Sequence, residues 1–325
     1  MKLLEKGNRH RQDIHESILR RIGGTALLAL GPLVPKDCAR ILIKLEADNP
    51  TGSIKDRMAL AMVTAGARSG RLKPGGRVVE YTGGSTGTSL ALICAARGHP
   101  LSIVTSDAFS AEKRAHMAAL GAELTIVPSV AGGMDEALTR AMIQAAGEIA
   151  ARTGAFWTDQ LNNADQLPAY HAMGEEIWRQ TGGRIDAFVH SIGTAASFRG
   201  VSEALRRHKP DLHVVAVEPA ESAVLSGGAK GAHRIEGIGP GFVPPLWQPS
   251  LVDEIAPVST PAAMAMARSL AQREALFAGT STGANLVAAL ELGRRLGPEA
   301  TVVTVMCDSG LKYLSTALYR EGGGN

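Results

Sequence analysis

The sequence predicts an α/β protein built on parallel sheets, and two observations carry that prediction. Short apolar, β-branched runs recur along the 325 residues, and amphipathic stretches of helical period separate most of them. The runs are also nearly continuous in apolar residues, as strands covered on both faces require. Strands are predicted at 40–45, 77–81, 101–105, 123–127, 187–190, 214–217 and 301–306. Helices are predicted at 110–120, 134–152, 167–180, 198–207 and 261–273. In such sheets a ligand sits outside the carboxyl ends of the strands. The Gly/Ser/Thr-rich segments that follow strands are therefore where function is sought.

Composition narrows the class. At roughly 100–200 residues per domain the chain has room for about two domains or lobes. Apolar residues at 45% and charged residues at 20% fit an ordinary globular protein. The balance of 34 basic against 31 acidic residues is too small for a chain devoted to nucleic acid, and 4% aromatics leave few stacking platforms. The basic run Lys2, Lys6, Arg9 and Arg11, with His10 and His15 and then Arg20 and Arg21, reads as a solvated arm. Cys38, Cys94 and Cys307 are odd in number and far apart, which argues against a disulfide framework. The histidines show no metal-binding spacing, so no metal is expected. No apolar run approaches the ~20 residues that span a bilayer, and no signal-peptide core is present. A soluble cytoplasmic protein with no membrane or nucleic-acid partner is expected. Residues 321–325 read as a frayed tail.

Four groups of loops carry chemistry-bearing residues. In Asn49–Arg57, NPTGSIKDR, the Asn-Pro-Thr-Gly segment is turn chemistry. Ser53 and Asp56 have capping-box spacing for a helix running to about Ser69. Lys55 would then stand in the first turn, where the helix dipole disfavours an ammonium and favours an amine nucleophile. The plainer alternative is an exposed helix-start lysine. TGGSTG, Thr82–Gly87, follows a strand and opens an apolar helix over 88–97. Its small residues leave N–H groups at a helix N-terminus open to a carboxylate or phosphate. It is neither a P-loop nor GxGxxG, and alone it could be a tight turn. GTAAS, Gly193–Ser197, repeats that arrangement after another strand. GIGPGF at 237–242, GTSTG at 279–283 and CDSG at 307–310 complete the set.

Taken in order, these loops resemble the cysteine synthase/cystathionine β-synthase family of fold-type II pyridoxal-phosphate enzymes, from about residue 22 to 318. SIKDR is similar to the family's S-[VI]-K-D-R lysine motif, TGGSTG stands where the family has TSGNTG, and GTAAS stands at its GTGGT loop. SAEKRAHMAALGAEL over 110–124 resembles its S-x-E-[RK] segment, and EGIGPGFVP, GTSTGA and DSGLKYLST follow in the family's order. The resemblance implies two lobes, each a mostly parallel twisted sheet flanked by helices, with the cofactor in the cleft. Residues 1–45 with 155–325 would form the larger lobe and 46–154 the smaller.

The resemblance also implies roles. Lys55 would hold pyridoxal 5'-phosphate covalently and later shuttle the α-proton. Gly193, Thr194, Ala195, Ala196 and Ser197 would hold the cofactor phosphate, and Ser281 would meet the pyridine nitrogen. Thr82, Gly83, Gly84, Ser85 and Thr86, with Gln160 and Gly237, would bind substrate, and Ser85 would also face the cofactor. A serine hydroxyl at the ring nitrogen makes a weaker electron sink than a carboxylate would, which suits β-elimination. The implied reaction is β-replacement on an O-activated L-serine through α-aminoacrylate, with O-acetylserine and sulfide the first choice.

Cystathionine β-synthase-like or cysteine desulfhydrase-like chemistry is the near alternative. Threonine synthase or dehydratase chemistry is a further one, because NPTGSIKD is similar to PTGSFKD; DSGLKYLST speaks against it. A non-catalytic binding protein would naturally lack Lys55. A homodimer is implied, and serine acetyltransferase is a partner of some relatives on which this sequence is silent. Gly83 and Ser85 depart from the family's Ser and Asn, and Ala195 and Ala196 from two glycines. The first departure predicts a roomier carboxylate loop that admits a bulkier substrate or nucleophile.

Overall fold

The computed structural model describes residues 17–129 and 136–320, with the backbone alone of Glu136. The basic residues through His15, Met134 at the start of one predicted helix, and the 321–325 tail lie outside the described residues; Arg20 and Arg21 are exposed.

In chain order the elements are β1 (Leu27–Ala29), β2 (Arg40–Leu45), α1 (Lys55–Arg68), β3 (Val78–Tyr81), α2 (Ser85–Arg97) and β4 (Leu101–Ser106). Next come α3 (Ala111–Ala119), β5 (Glu123–Val127), α4 (Glu136–Thr153), β6 (Phe156–Trp157), α5 (Leu167–Thr181) and β7 (Ala187–Ser191). The last are α6 (Ala196–His208), β8 (His213–Pro219), β9 (Glu254–Val258), α7 (Thr260–Glu274), α8 (Thr280–Leu296) and β10 (Thr301–Met306). They form two sheets. The larger has the order β1-β2-β10-β7-β8-β9, parallel except for the antiparallel edge β1. The smaller, β5-β4-β3-β6, is parallel throughout.

All seven predicted strands are present, with ends shifted by two residues at most. Six of these apolar runs belong to strands wedged between helices, with Ile41, Ile43, Val78, Val79, Val302 and Val303 fully buried, whereas the edge strand β5 has no buried residue and exposes Ile126. Three strands and one helix escape the pattern. β1 and β6 are too short to show a period. β9 carries Pro257, which its edge position tolerates because one side of the strand needs no ladder donor. Helix α8 is buried nearly all round, so its Ala/Gly/Leu-rich sequence lacks a polar stripe.

Helix α1 ties the two sheets together. Met58 and Met62, four apart, pack with Leu42, Phe188, Val303 and Val305 of the larger sheet. Ala59 and Val63, on the next stripe, pack with Val78, Leu90 and Ile103 of the smaller. The first residue of that helix is Lys55. The segment before it is strapped along the end of β10: the Ile54 N–H donates to Cys307 O at 2.8 Å and the Ser309 N–H to Gly52 O at 3.0 Å.

Candidate active site

The loops that follow β3, β7 and β10 converge on the head of α1. Lys55 is partly buried, and burial pushes its ammonium below the ordinary lysine value while Cys307 and Asp308 oppose the shift. The direction is the one expected from the sequence; desolvation, not the helix dipole, is the leading cause.

The helix start itself differs from the expected capping box. Ser53 Oγ accepts the Lys55 N–H at 3.2 Å, but the Asp56 carboxylate turns to Thr51, accepting its N–H at 2.8 Å and its hydroxyl at 2.5 Å. The left-handed turn at Gly52 (φ 73°) folds Thr51 back over the helix, which puts its donors nearer Asp56 than those of Ser53.

A continuous web of contacts joins the loops. Asp308 Oδ2 accepts the Tyr313 hydroxyl at 2.7 Å and the Ser85 hydroxyl at 3.4 Å. Ser281 and Thr282 lie in the buried first turn of α8, where Thr282 Oγ1 accepts the Cys307 N–H at 3.1 Å and the Ser281 hydroxyl meets the Cys307 thiol. Burial pushes that thiol up to about 11, although Lys55 pulls it the other way. The Glu236 N–H donates to Thr280 Oγ1 at 3.1 Å, and the Glu236 carboxylate pairs with Lys113 of α3, whose ammonium also lies 4.5 Å from the Tyr313 ring centre. Gly237, at φ 86°, presents its carbonyl to Gly193 so closely that a Cβ on Gly193 would fall 2.4 Å from that oxygen. Glycine is thus required at 193 by backbone approach. Ala195, at the N-terminus of α6, holds φ 67°, a left-handed conformation usually left to glycine.

The loop at the carboxyl end of β3 is held from behind. Gly84 donates its N–H to Thr82 Oγ1 at 3.1 Å. The Thr86 hydroxyl donates to Gln160 Oε1 at 2.8 Å, and Gln160 Nε2 donates to Tyr81 O at 2.9 Å. Gln160 is placed by Glu80, a fully buried carboxylate that accepts the Gln160 N–H at 3.0 Å, the Thr158 hydroxyl at 2.6 Å and the Tyr81 N–H at 2.9 Å. Burial pushes Glu80 up to about 7 against those donors. The room expected from Gly83 is not found. A Cβ on Gly83 would fall 1.9 Å from the Phe109 ring, so the aromatic side chain fills the space the missing side chain leaves.

The structure brings Lys55, Ser85, Ser281, Gln160, Gly193 and Gly237 into this one web. Sequence reasoning did not point to Glu80, Phe109 or His190, and it met Lys113 and Asp308 only as members of the SAEKR and CDSG motifs. A charged residue inside an apolar strand run was an available signal for Glu80, as was a histidine inside the β7 run for His190.

A family model for pyridoxal-phosphate dependent enzymes matches residues 18–308. The chain belongs to that family. It is 39% identical to a cysteine synthase of Staphylococcus aureus over 94% of this chain and 97% of the relative. A solved O-acetyl serine sulfhydrylase isoform 3 of Entamoeba histolytica superposes with a TM-score of 0.90 at 38% identity, over 98% of this chain and 96% of that one. A solved O-ureido-L-serine synthase does so at 0.90 and 34%, over 96% and 98%. The protein is therefore a pyridoxal-phosphate dependent enzyme of two parallel-sheet regions flanked by helices.

Its residues fit that cofactor. The first turn of α6 offers N–H groups that have no partner within the helix, suited to a phosphate dianion. Asp308 Oδ1, Asn285 Oδ1 and Ser191 Oγ are buried without a hydrogen-bond partner, polar atoms left over around the same web. Among the described residues no helix is long and apolar enough to cross a membrane.

Proposed function

We propose that this enzyme performs β-replacement on an O-activated L-serine, with O-acetylserine and sulfide as the first substrate pair. The observation that carries the reading is a lysine of lowered basicity at the head of the helix packed on both sheets, beside Cys307 and Asp308 at the end of β10. Relatives named for O-acetyl serine and O-ureido-L-serine supply the substrate class by analogy.

Pyridoxal phosphate supplies the electron sink that makes the α-proton removable. The protein's own groups do the rest. Lys55 anchors the cofactor and, as a neutral amine, takes the α-proton; burial gives it that form at lower cost. The Thr82–Thr86 loop and Gln160 hold the substrate carboxylate, with Gln160 using the N–H not engaged by Tyr81. Gly193, Thr194, Ala195, Ala196 and Ser197 hold the phosphate. Ser281 meets the ring nitrogen as a hydroxyl, which leaves that nitrogen largely unprotonated. Phe109 covers the carboxylate loop over Gly83 and excludes water there.

The two sheets act as lobes in this reading, residues 1–45 with 155–325 and residues 46–154, except that Phe156 and Trp157 pair with β3 and go with the smaller. A cytoplasmic homodimer completes it.

Two measurements test the proposal. Borohydride reduction and peptide mapping should place the pyridoxyl label on Lys55. A panel of O-acetylserine, O-phosphoserine, serine, cysteine and homocysteine, with sulfide where a nucleophile is needed, should show fastest turnover for O-acetylserine with sulfide. Turnover of cysteine alone or of unactivated serine as the best substrate would replace the synthase reading with a lyase.

A further inference from the structure

The loop after β7 has a partner that the site above does not use. His190, on β7, is 2% exposed; its Nε2 lies 2.8 Å from Ser197 Oγ and its Nδ1 lies 3.4 Å from Asn285 Nδ2. The direction of these bonds can be worked out from one fixed end. The Val305 carbonyl, 2.9 Å from Asn285 Nδ2, can only accept, so the amide nitrogen and not the amide oxygen must face it. The second hydrogen of that nitrogen is then shared between His190 Nδ1 and Cys307 Sγ, both at 3.4 Å. His190 Nδ1 is thereby an acceptor, and the ring proton sits on Nε2. That N–H donates into Ser197 Oγ. A hydroxyl that already receives a hydrogen bond is free to turn its own proton outward, toward whatever lies at the head of α6.

We propose that His190 is a positioning residue, which with Asn285, itself oriented by donating to the Val305 carbonyl, fixes a one-way chain of hydrogen bonds from Asn285 to His190 to Ser197, and so aims the Ser197 hydroxyl proton at the cofactor phosphate. The chain runs one way only while the imidazole is neutral. Burial is the leading cause that holds His190 well below the ordinary imidazole value, so the ring stays neutral in the folded protein whether or not Lys55 carries a charge. The simpler view makes His190 a packing residue against Phe188, whose ring centre is 5.9 Å away. The proposal rests on the reading of Gly193–Ser197 as the phosphate cradle, and its test separates the two ideas.

Cofactor-free protein is titrated with pyridoxal 5'-phosphate and with pyridoxal, which lacks the phosphate. The variants are Ser197→Ala, His190→Phe, His190→Gln and the double change His190→Phe with Ser197→Ala. A hydrogen bond to a charged group is worth roughly tenfold or more in affinity. His190→Phe and Ser197→Ala should each weaken pyridoxal phosphate about tenfold, and the double variant should be no weaker than Ser197→Ala alone. His190→Gln, whose amide can still donate, should recover most of the loss. Pyridoxal affinity should not change, and the 31P resonance of the bound phosphate should move in His190→Phe as it does in Ser197→Ala. Should His190→Phe fail to fold, His190→Leu removes the same donor. Additive losses, or equal losses for pyridoxal and its phosphate, would make His190 a packing residue and overturn the chain. If Ser197→Ala leaves phosphate affinity intact, the proposal falls while the backbone cradle stands; parent protein that binds pyridoxal as tightly as its phosphate would overturn the cradle itself.

Discussion

Gly83 and Phe109 show how a residue's meaning changes with its neighbours. From the sequence, a glycine in place of serine reads as open space; in the fold the Phe109 ring occupies it. No local pattern links two positions on different strands' loops, so this pairing is invisible until the chain folds. Gly83→Ser forces the ring aside and should cost about 1–3 kcal/mol of stability, the usual range for overpacking. Phe109→Ala in the same chain should restore it. Urea unfolding of the single and double variants checks this, and a Gly83→Ser protein as stable as the parent would show that the ring is not fixed there.

Glu80 makes a second prediction at this scale. Its carboxyl is raised from 4.5 to about 7 in the fold, so the folded state keeps a proton that the unfolded chain gives up. The contribution is complete below pH ~4.5 and is lost as pH rises through about 7, a fall on the order of 3 kcal/mol. Glu80→Gln cannot titrate. The stability advantage of the parent over this variant should therefore shrink between pH 4.5 and 7.5, and a constant difference would show that Glu80 titrates normally.

At the level of elements, the sequence exposed those whose neighbours are uniform. Parallel strands between helices announce themselves as apolar runs, and small residues after strands mark the loops of the site. Hidden elements are those with an unusual environment: α8, with apolar neighbours nearly all round, and β9, whose proline is harmless only at an edge. The SIKDR motif pointed to its lysine and was silent on its arginine. Arg57 grips Glu46 through Nε at 2.7 Å and Nη2 at 2.8 Å, and Glu176 of α5 through Nη1 at 2.9 Å and Nη2 at 2.7 Å. Lys44 joins at 2.7 Å from Glu176. The cluster pins the start of α1, and so Lys55, to α5 and β2. Arg57→Leu leaves fully buried Glu46 without its counter-charge and should cost about 3–5 kcal/mol. Arg57→Lys should recover only part of this, since an ammonium cannot form two forked pairs. Denaturant unfolding midpoints rank the three proteins; equal midpoints would deny the clamp.

For the whole molecule, the alternation of strands and helices was enough to predict the class, and the order of the loops was enough to suggest two lobes. The strand order was not available from the chain, because pairing between distant strands leaves no local trace. If the proposed site holds the cofactor between the two sheets, the cofactor should stabilise the molecule as a unit. At a hundredfold excess over its dissociation constant, pyridoxal phosphate should add about 2.7 kcal/mol to the folded state. Scanning calorimetry should show the cofactor-free protein melting several degrees lower, in one transition. Two transitions would mean that the sheets unfold separately.

The strand order also sets a timetable for a chain leaving the ribosome. The four strands of the smaller sheet are all made by Trp157, so that unit can pair as soon as it emerges. Strand β2 waits far longer, because one of its two neighbours is β10, in register from Arg40 with Thr301 to Leu45 with Met306. At ~5–20 residues per second, the stretch from Leu45 to Thr301 takes on the order of ten to fifty seconds to synthesise. Through that interval an apolar strand made early has a single short partner, β1, and an open edge along its other side. Newborn chains should depend on chaperones most during this wait, and stop depending on them when the last strand arrives and closes the larger sheet.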